Sequence, residues 1–167
     1  MDGIARFMKV SPGRFAADWA EAFPGTDDPY DAIALPRRAT AGSAGYDFFA
    51  PAAFGLAPGE SVKIPTGIRA RIDDGWVLML FPRSGLGFKY RLQLNNTVGV
   101  VDSDYFGAAN EGHIFIKLTN AGDRCLSVRA GEAFAQGVFL PYGLVEDDDA
   151  ARPRTGGFGS TDDQGGR

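Results

Sequence analysis

Most of this chain consists of short β-prone runs separated by turn chemistry, and that alternation narrows the folds open to it. Ser61–Ile64, Gly67–Ile72, Trp76–Phe81, Thr97–Val101, His113–Thr119 and Ala133–Leu140 are rich in β-branched, aromatic or alternating apolar residues. Between them lie Ala57-Pro58-Gly59-Glu60, Asp73-Asp74-Gly75, Asn120-Ala121-Gly122-Asp123 and Arg129-Ala130-Gly131-Glu132. Gly, Pro, Asn and Asp in such clusters reverse the chain cheaply. Many short strands at this spacing predict an all-β sandwich, jelly roll or barrel. One segment departs from the pattern. Phe15, Trp19 and Phe23 recur every fourth residue, which predicts a packing helix over 14–23, ended by Pro24-Gly25.

At 167 residues the chain suits one domain with a core of its own. The net charge is -4 and no long basic stretch exists, which excludes a nucleic-acid polymer as the expected partner. A small phosphorylated ligand stays open, because it needs only a few local cations and N–H groups. Cys125 is the single cysteine, so no intramolecular disulfide can form and a reducing, cytoplasmic setting is expected. The first residues lack the apolar core of a secretory signal. No stretch approaches the roughly 18 apolar residues of a membrane span. Cys125 reads as a half-buried small hydrophobe, and His113, the one histidine, as a surface or packing residue. With one of each, a zinc site of the usual ligands is out of reach within one chain. The acidic run 146–149 and the Gly-, Ser- and Thr-rich stretch after it cannot bury a core. The expected layout is an N-terminal extension with a helix (1–32), a β domain (33–145) and a flexible C-terminal arm (146–167).

Six segments could carry chemistry. Gly99-Val100-Val101-Asp102 leads a carboxylate out of a strand into a polar turn, and Tyr105 follows. A carboxylate so held can act as a general base towards water. Pro82-Arg83-Ser84-Gly85 offers a guanidinium, a hydroxyl and N–H groups suited to phosphate, or is merely a structural turn. Asp47, after the small residues 41–45, could hold a water or a magnesium shell, or cap a turn. Gln136, in an otherwise apolar strand, needs a partner if buried: a ligand phosphate or a backbone carbonyl. Asn95-Asn96 could read a base edge, and a hairpin turn explains the pair about as well. The tail Arg154-Thr155-Gly156-Gly157-Phe158-Gly159-Ser160-Thr161 combines three glycines, an aromatic ring, hydroxyls and a cation. It reads as an anion-binding lid or as a solvated C-terminus.

The order of these segments is more specific than any one of them. Residues 41–47, 82–86, 96 with 99–107, 130–136 and 154–161 resemble the five ordered motifs of the trimeric dUTPase family, over roughly residues 33–161. The resemblance implies a jelly-roll-like (β-clip) subunit in a homotrimer with shared active sites. It implies hydrolysis of dUTP to dUMP and pyrophosphate, with magnesium held mainly through the substrate triphosphate. By the same resemblance Asp102 activates the attacking water. Tyr105 packs against deoxyribose, while Asn96 and Gly99 belong to the hairpin that reads uracil. Arg83, Ser84, Gly85 and Gln136 contact phosphate. Arg154, Gly159, Ser160 and Thr161 reach the outer phosphates, Phe158 stacks on uracil, and Asp47 lies near the metal. Two departures stand out: extra residues at 108–113, a surface that a protein regulator could use, and Asp162-Asp163 where the family has glycine after the threonine. The segment 1–32 is expected to pack on the trimer exterior. The alternatives weighed are a dCTP deaminase-related enzyme and a regulatory binder on the same fold.

Overall fold

The computed structural model describes residues 3–150. In chain order its elements are strand β1 (Ala5–Lys9), helix α1 (Pro12–Ala22), a single 3-10 turn at Tyr30–Ala32, and strands β2 (Arg37–Arg38), β3 (Tyr46–Phe49), β4 (Phe54–Leu56), β5 (Ser61–Pro65), β6 (Ile68–Ile72) and β7 (Trp76–Pro82). Helix α2 (Ser84–Tyr90), strands β8 (Leu92–Leu94) and β9 (Gly99–Val101), a 3-10 helix (Ser103–Gly107), and strands β10 (Phe115–Asn120), β11 (Leu126–Val128) and β12 (Ala133–Pro141) complete it.

The strands pair antiparallel throughout the described residues. The largest sheet runs β2-β3-β12-β7-β9, a second runs β5-β10-β8, and β1-β6 and β11-β4 form two-stranded ribbons. Sequence neighbours are rarely sheet neighbours, as in jelly-roll-like folds, where strands cross between sheets. The expected all-β, jelly-roll-like class is therefore the observed one. Alternation along β10, from half-buried Phe115 through buried Ile116 and Leu118 to buried Asn120, turns one face of that strand into a core packed by Phe48, Ile64, Leu78, Leu80 and Phe134. Burying such side chains contributes about 2 kcal/mol each.

The predicted helix is present and starts earlier than its aromatic spacing suggested. Ser11 caps it, its hydroxyl accepting from the Arg14 N–H at 3.2 Å, and Pro12 occupies the first turn, where no N–H is missed. Phe15 is fully buried and Trp19 is 3% exposed, both in the common core. The segment 1–32 is thus not peripheral within the subunit: β1 pairs with β6, and α1 closes over β5. Helix α2 stands where the sequence predicts a structural turn. Gly85 and Gly87 hid it, yet it holds a full turn and ends on Arg91 in the left-handed region at φ 51°. Cys125, expected half-buried, is exposed in the turn ahead of β11. No helix among the described residues is long and apolar enough to cross a membrane.

Candidate active site

Two groups of the candidate residues emerge in different places. The first surrounds an open cavity of about 580 Å³ lined by Lys63, Leu80, Leu94, Asn95, Asn96, Gly99, Asn110, Phe115, Ile116 and Lys117. The hairpin between β8 and β9 builds its mouth. Asn95 N–H donates to the Lys117 carbonyl at 3.0 Å, and Thr97 sits in the left-handed region at φ 65° with its N–H on the Leu94 carbonyl. That turn leaves Asn96 exposed at the rim. Gly99 is required where it lies: a Cβ there would stand 2.9 Å from the Leu80 Cβ.

From this hairpin β9 runs into Asp102. The β9–β7 pairing sets Val101 opposite Leu78, so the half-buried Asp102 leaves the edge of the large sheet at a fixed position. The 3-10 helix begins immediately, with the Tyr105 N–H on the Asp102 carbonyl at 3.2 Å. Ser103 Oγ donates to Asp74 Oδ1 at 3.2 Å. Arg69 stacks 3.7 Å over the Phe106 ring and donates to the Phe106 carbonyl at 2.7 Å. Tyr105 is 2% exposed, and its hydroxyl donates to the His113 carbonyl at 2.6 Å.

The second group sits at the junction of β3, β12 and β7. Asp47 lies opposite Gln136 in the β3–β12 register, and Gln136 lies opposite Phe81 in β12–β7. The Arg83 guanidinium is paired with the Asp47 carboxylate. Gln136 donates to the Pro82 carbonyl at 3.2 Å, so a backbone acceptor is its partner within the subunit. Its amide oxygen also rests against Gly45, where a Cβ would approach to 2.6 Å. Ser84 and Gly85 open helix α2 and are exposed. Arg83, Ser84, Gly85, Asp47 and Gln136 do not line the cavity that holds Asn96 and Gly99, and neither do Asp102 and Tyr105, which follow Gly99 along β9 and the 3-10 helix. Arg154, Phe158, Gly159, Ser160 and Thr161 lie outside the described residues, as do Asp162 and Asp163.

Sequence reading missed a third group. The extra loop faces inward rather than out. Glu111 accepts from the Ser11 N–H at 2.8 Å and from its hydroxyl at 2.6 Å, and these bonds hold its carboxyl below the usual glutamate range. His113 is fully buried. Its Nε2 accepts from the Gly67 N–H at 2.8 Å, which leaves Nδ1–H to donate to Asp18 Oδ2 at 2.6 Å. Arg14 completes the cluster through Asp18, at 3.0 Å and 2.5 Å. Burial is the main cause that pushes the His113 pKa down, and it outweighs the Asp18 hydrogen bond that raises it. Histidine 113 is thus a neutral strut between helix α1 and the strand that follows it. Asp18 and His113 lie 95 residues apart, so local pattern carried no sign of the pair.

The family model described as dUTPase matches residues 31–162. The chain belongs to the dUTPase family. Among relatives, the deoxyuridine 5'-triphosphate nucleotidohydrolase of Lactococcus lactis subsp. lactis is 45% identical over 133 residues, covering 77% of this chain and 88% of its own. The one from Tolumonas auensis is 42% identical over 135 residues, covering 76% and 86%. The crystal structure of the Streptococcus mutans dUTPase superposes with a TM-score of 0.64 at 37% identity, over 84% of this chain and 98% of that one. A dUTPase from Staphylococcus aureus phage phi11, described for its coordination of a structural Mg(II) ion, shares the fold at 20% identity with a TM-score of 0.63, over 90% and 98%. These relatives are nucleotidohydrolases and dUTPases, not deaminases. The dUTPase match begins near the 3-10 turn at Tyr30–Ala32, so helix α1 precedes the matched region and the loop 108–113 lies within it.

Proposed function

We propose that this protein hydrolyses dUTP to dUMP and pyrophosphate. The observation that carries the reading is the delivery of Asp102 by β9, the strand whose entering hairpin walls the cavity with Asn96 and Gly99. One short rigid element thereby connects a base-reading rim to a carboxylate. Asp102 orients water and takes its proton as the water oxygen attacks the α-phosphorus. The bond from that phosphorus to the bridging oxygen breaks, and pyrophosphate leaves with the electron pair. Such chemistry is mainly positioning and charge stabilisation. Arg83, Ser84, Gly85 and Gln136 would take the phosphates, with Arg154, Gly159, Ser160 and Thr161 of the arm on the outer ones and Phe158 over the base. Tyr105 would form the floor beneath deoxyribose.

The division of candidates between the cavity and the β3-β12-β7 junction supports a homotrimer in which one subunit's cavity meets another's phosphate contacts. Large apolar side chains left in solvent agree with this: Phe88 is 93% exposed, Leu144 73% and Val145 71%. Among the described residues no group of three or more His, Cys, Asp or Glu side chains could hold a metal, and the Asp47 carboxylate is engaged by Arg83. The donor set does not form a cage for magnesium, and in our reading the ion arrives on the triphosphate. Asp47 then serves by holding Arg83, not as a direct ligand.

The test is pyrophosphate release, with magnesium, from dUTP beside dCTP, dTTP and UTP. Release from dUTP alone is expected. A folded protein that releases pyrophosphate from none of them would overturn the reading.

A further inference from the structure

The loop 108–113 belongs to none of the motifs that carry the proposed chemistry, yet it supplies part of the cavity wall. Asn110 lines that cavity together with Asn96 and Gly99. Its side chain is fully engaged. Nδ2 donates to the Tyr105 hydroxyl at 2.8 Å, and Oδ1 accepts from the Gly112 N–H at 3.2 Å. The same hydroxyl donates to the His113 carbonyl. The phenol oxygen therefore accepts from one end of the loop and donates to the other. Contact is close along the backbone as well. Gly112, at φ 69°, leaves so little room that a Cβ would stand 2.7 Å from the Tyr105 carbonyl oxygen. His113 is in turn fixed by Asp18 and Gly67, so the acceptor on that side has no freedom to retreat.

We propose that Asn110 is a positioning residue that fixes the plane of the Tyr105 ring, and through it the discrimination between deoxyribose and ribose nucleotides. The proposal rests on the dUTP reading above and deepens it. A ring at the floor of a sugar site can reject an added hydroxyl only if it does not yield. Site geometry has to be held to about 0.5 Å, and side chains locked by surrounding hydrogen bonds supply that. Two hydrogen bonds at the phenol oxygen pin the far end of the ring, and Asn110 donates the one on the cavity side. Without it the phenol oxygen keeps its bond to the His113 carbonyl but loses the restraint on the cavity side. The cavity would then accept the extra oxygen of a ribonucleotide.

The experiment compares kcat/KM for dUTP and UTP in the wild type, Asn110→Ala, Tyr105→Phe and the double variant, with the thermal midpoint of each. Asn110→Ala should lower the dUTP-to-UTP ratio about five- to tenfold, the worth of one hydrogen bond. In the Tyr105→Phe background the same change should add nothing to the loss of ratio, because the shared partner is gone. A merely structural role would lower the midpoint and scale both substrates alike, and an unchanged ratio overturns the proposal. Should Asn110→Ala not fold, Asn110→Ser decides. Its hydroxyl can accept from the Gly112 N–H but is too short to reach the Tyr105 hydroxyl, so the ratio must again fall. Wild-type protein that fails on dUTP would sink the activity reading and this inference with it. Wild-type activity with an unmoved ratio in the variants sinks the inference alone.

Discussion

The polar cluster under helix α1 and the polar junction around Arg83 are built from similar groups and behave as opposites. Under the helix, Arg14, Asp18, His113 and the Gly67 N–H satisfy one another, with the imidazole fully buried. Around Arg83, the guanidinium is 38% exposed, Ser84 and Gly85 face solvent, and Gln136 is only half-buried. A closed polar network in low dielectric stabilises the fold and is costly to break from one side. An open one contributes little to stability, since exposed ion pairs are worth roughly 0–1 kcal/mol, but it keeps donors available to a ligand. The comparison teaches which hydrogen bonds serve the fold and which are held in reserve.

Substitutions can break or sharpen that contrast. The largest effect is expected at Asp102, beyond either cluster. Asp102→Asn should reduce turnover of dUTP by about 10²–10⁴-fold, the usual contribution of a general base. Nucleotide binding, measured by calorimetry with a non-hydrolysable analogue, should persist. His113→Ala should cost stability instead, about 3 kcal/mol, since the Gly67 N–H and Asp18 both lose a buried partner. At this chain length that is a melting point roughly 10 °C lower in a thermal scan. The same residue sets a pH window. The folded state declines the proton that an unfolded histidine takes up below about pH 6.5. Its stabilising contribution is therefore complete above that pH and is lost as pH falls below it. Acid unfolding profiles should show this slope in the wild type and lack it in His113→Ala.

Arg83→Ala reverses the pattern. Loss of a charged phosphate contact should lower kcat/KM by about 10- to 100-fold, while the melting point moves by a degree or two. Equal losses of stability in Arg83→Ala and His113→Ala would erase the distinction between the two clusters. The smallest effect belongs to Glu111→Gln. Its carboxylate is half-exposed and its bonds to Ser11 are at the surface, so a few tenths of a kcal/mol in chemical denaturation is the expected cost.

The fold was legible where pattern is local. The Phe15, Trp19 and Phe23 spacing located helix α1, and the β-branched runs located β5, β6, β7, β9, β10 and β12 to within a few residues. Strand β1 escaped because Met8 and Lys9 break the alternation that Ala5, Arg6 and Phe7 begin, and because its partner β6 is remote in sequence, Lys9 pairing with Ile68 and Ala5 with Ile72. Helix α2 escaped because Pro82, Gly85 and Gly87 are turn residues by local chemistry. Within the proposed site, Arg83, Ser84, Asn96 and Asp102 stand in local motifs, where the sequence marks them as candidates. Asn110 and His113 do not. Each matters through a partner that only the fold supplies: His113 is a packing residue, one of the two readings its sequence context allows, but its partner Asp18 lies on another element.

The seat of helix α1 also gives the protein an optical gauge of its own. Of its two tryptophans, Trp19 is 3% exposed, with its ring centroid 4.4 Å from Phe23 and its indole N–H donating to Thr26 at 3.0 Å. Trp76 is half-buried at the start of β7, the end of that strand opposite Pro82. Emission from Trp19 will shift to longer wavelength whenever the helix lifts from the neighbouring Asp18–His113 contact, while Trp76, on β7, supplies the rest of the signal. A single fluorescence spectrum can thus follow the closed polar cluster without a label.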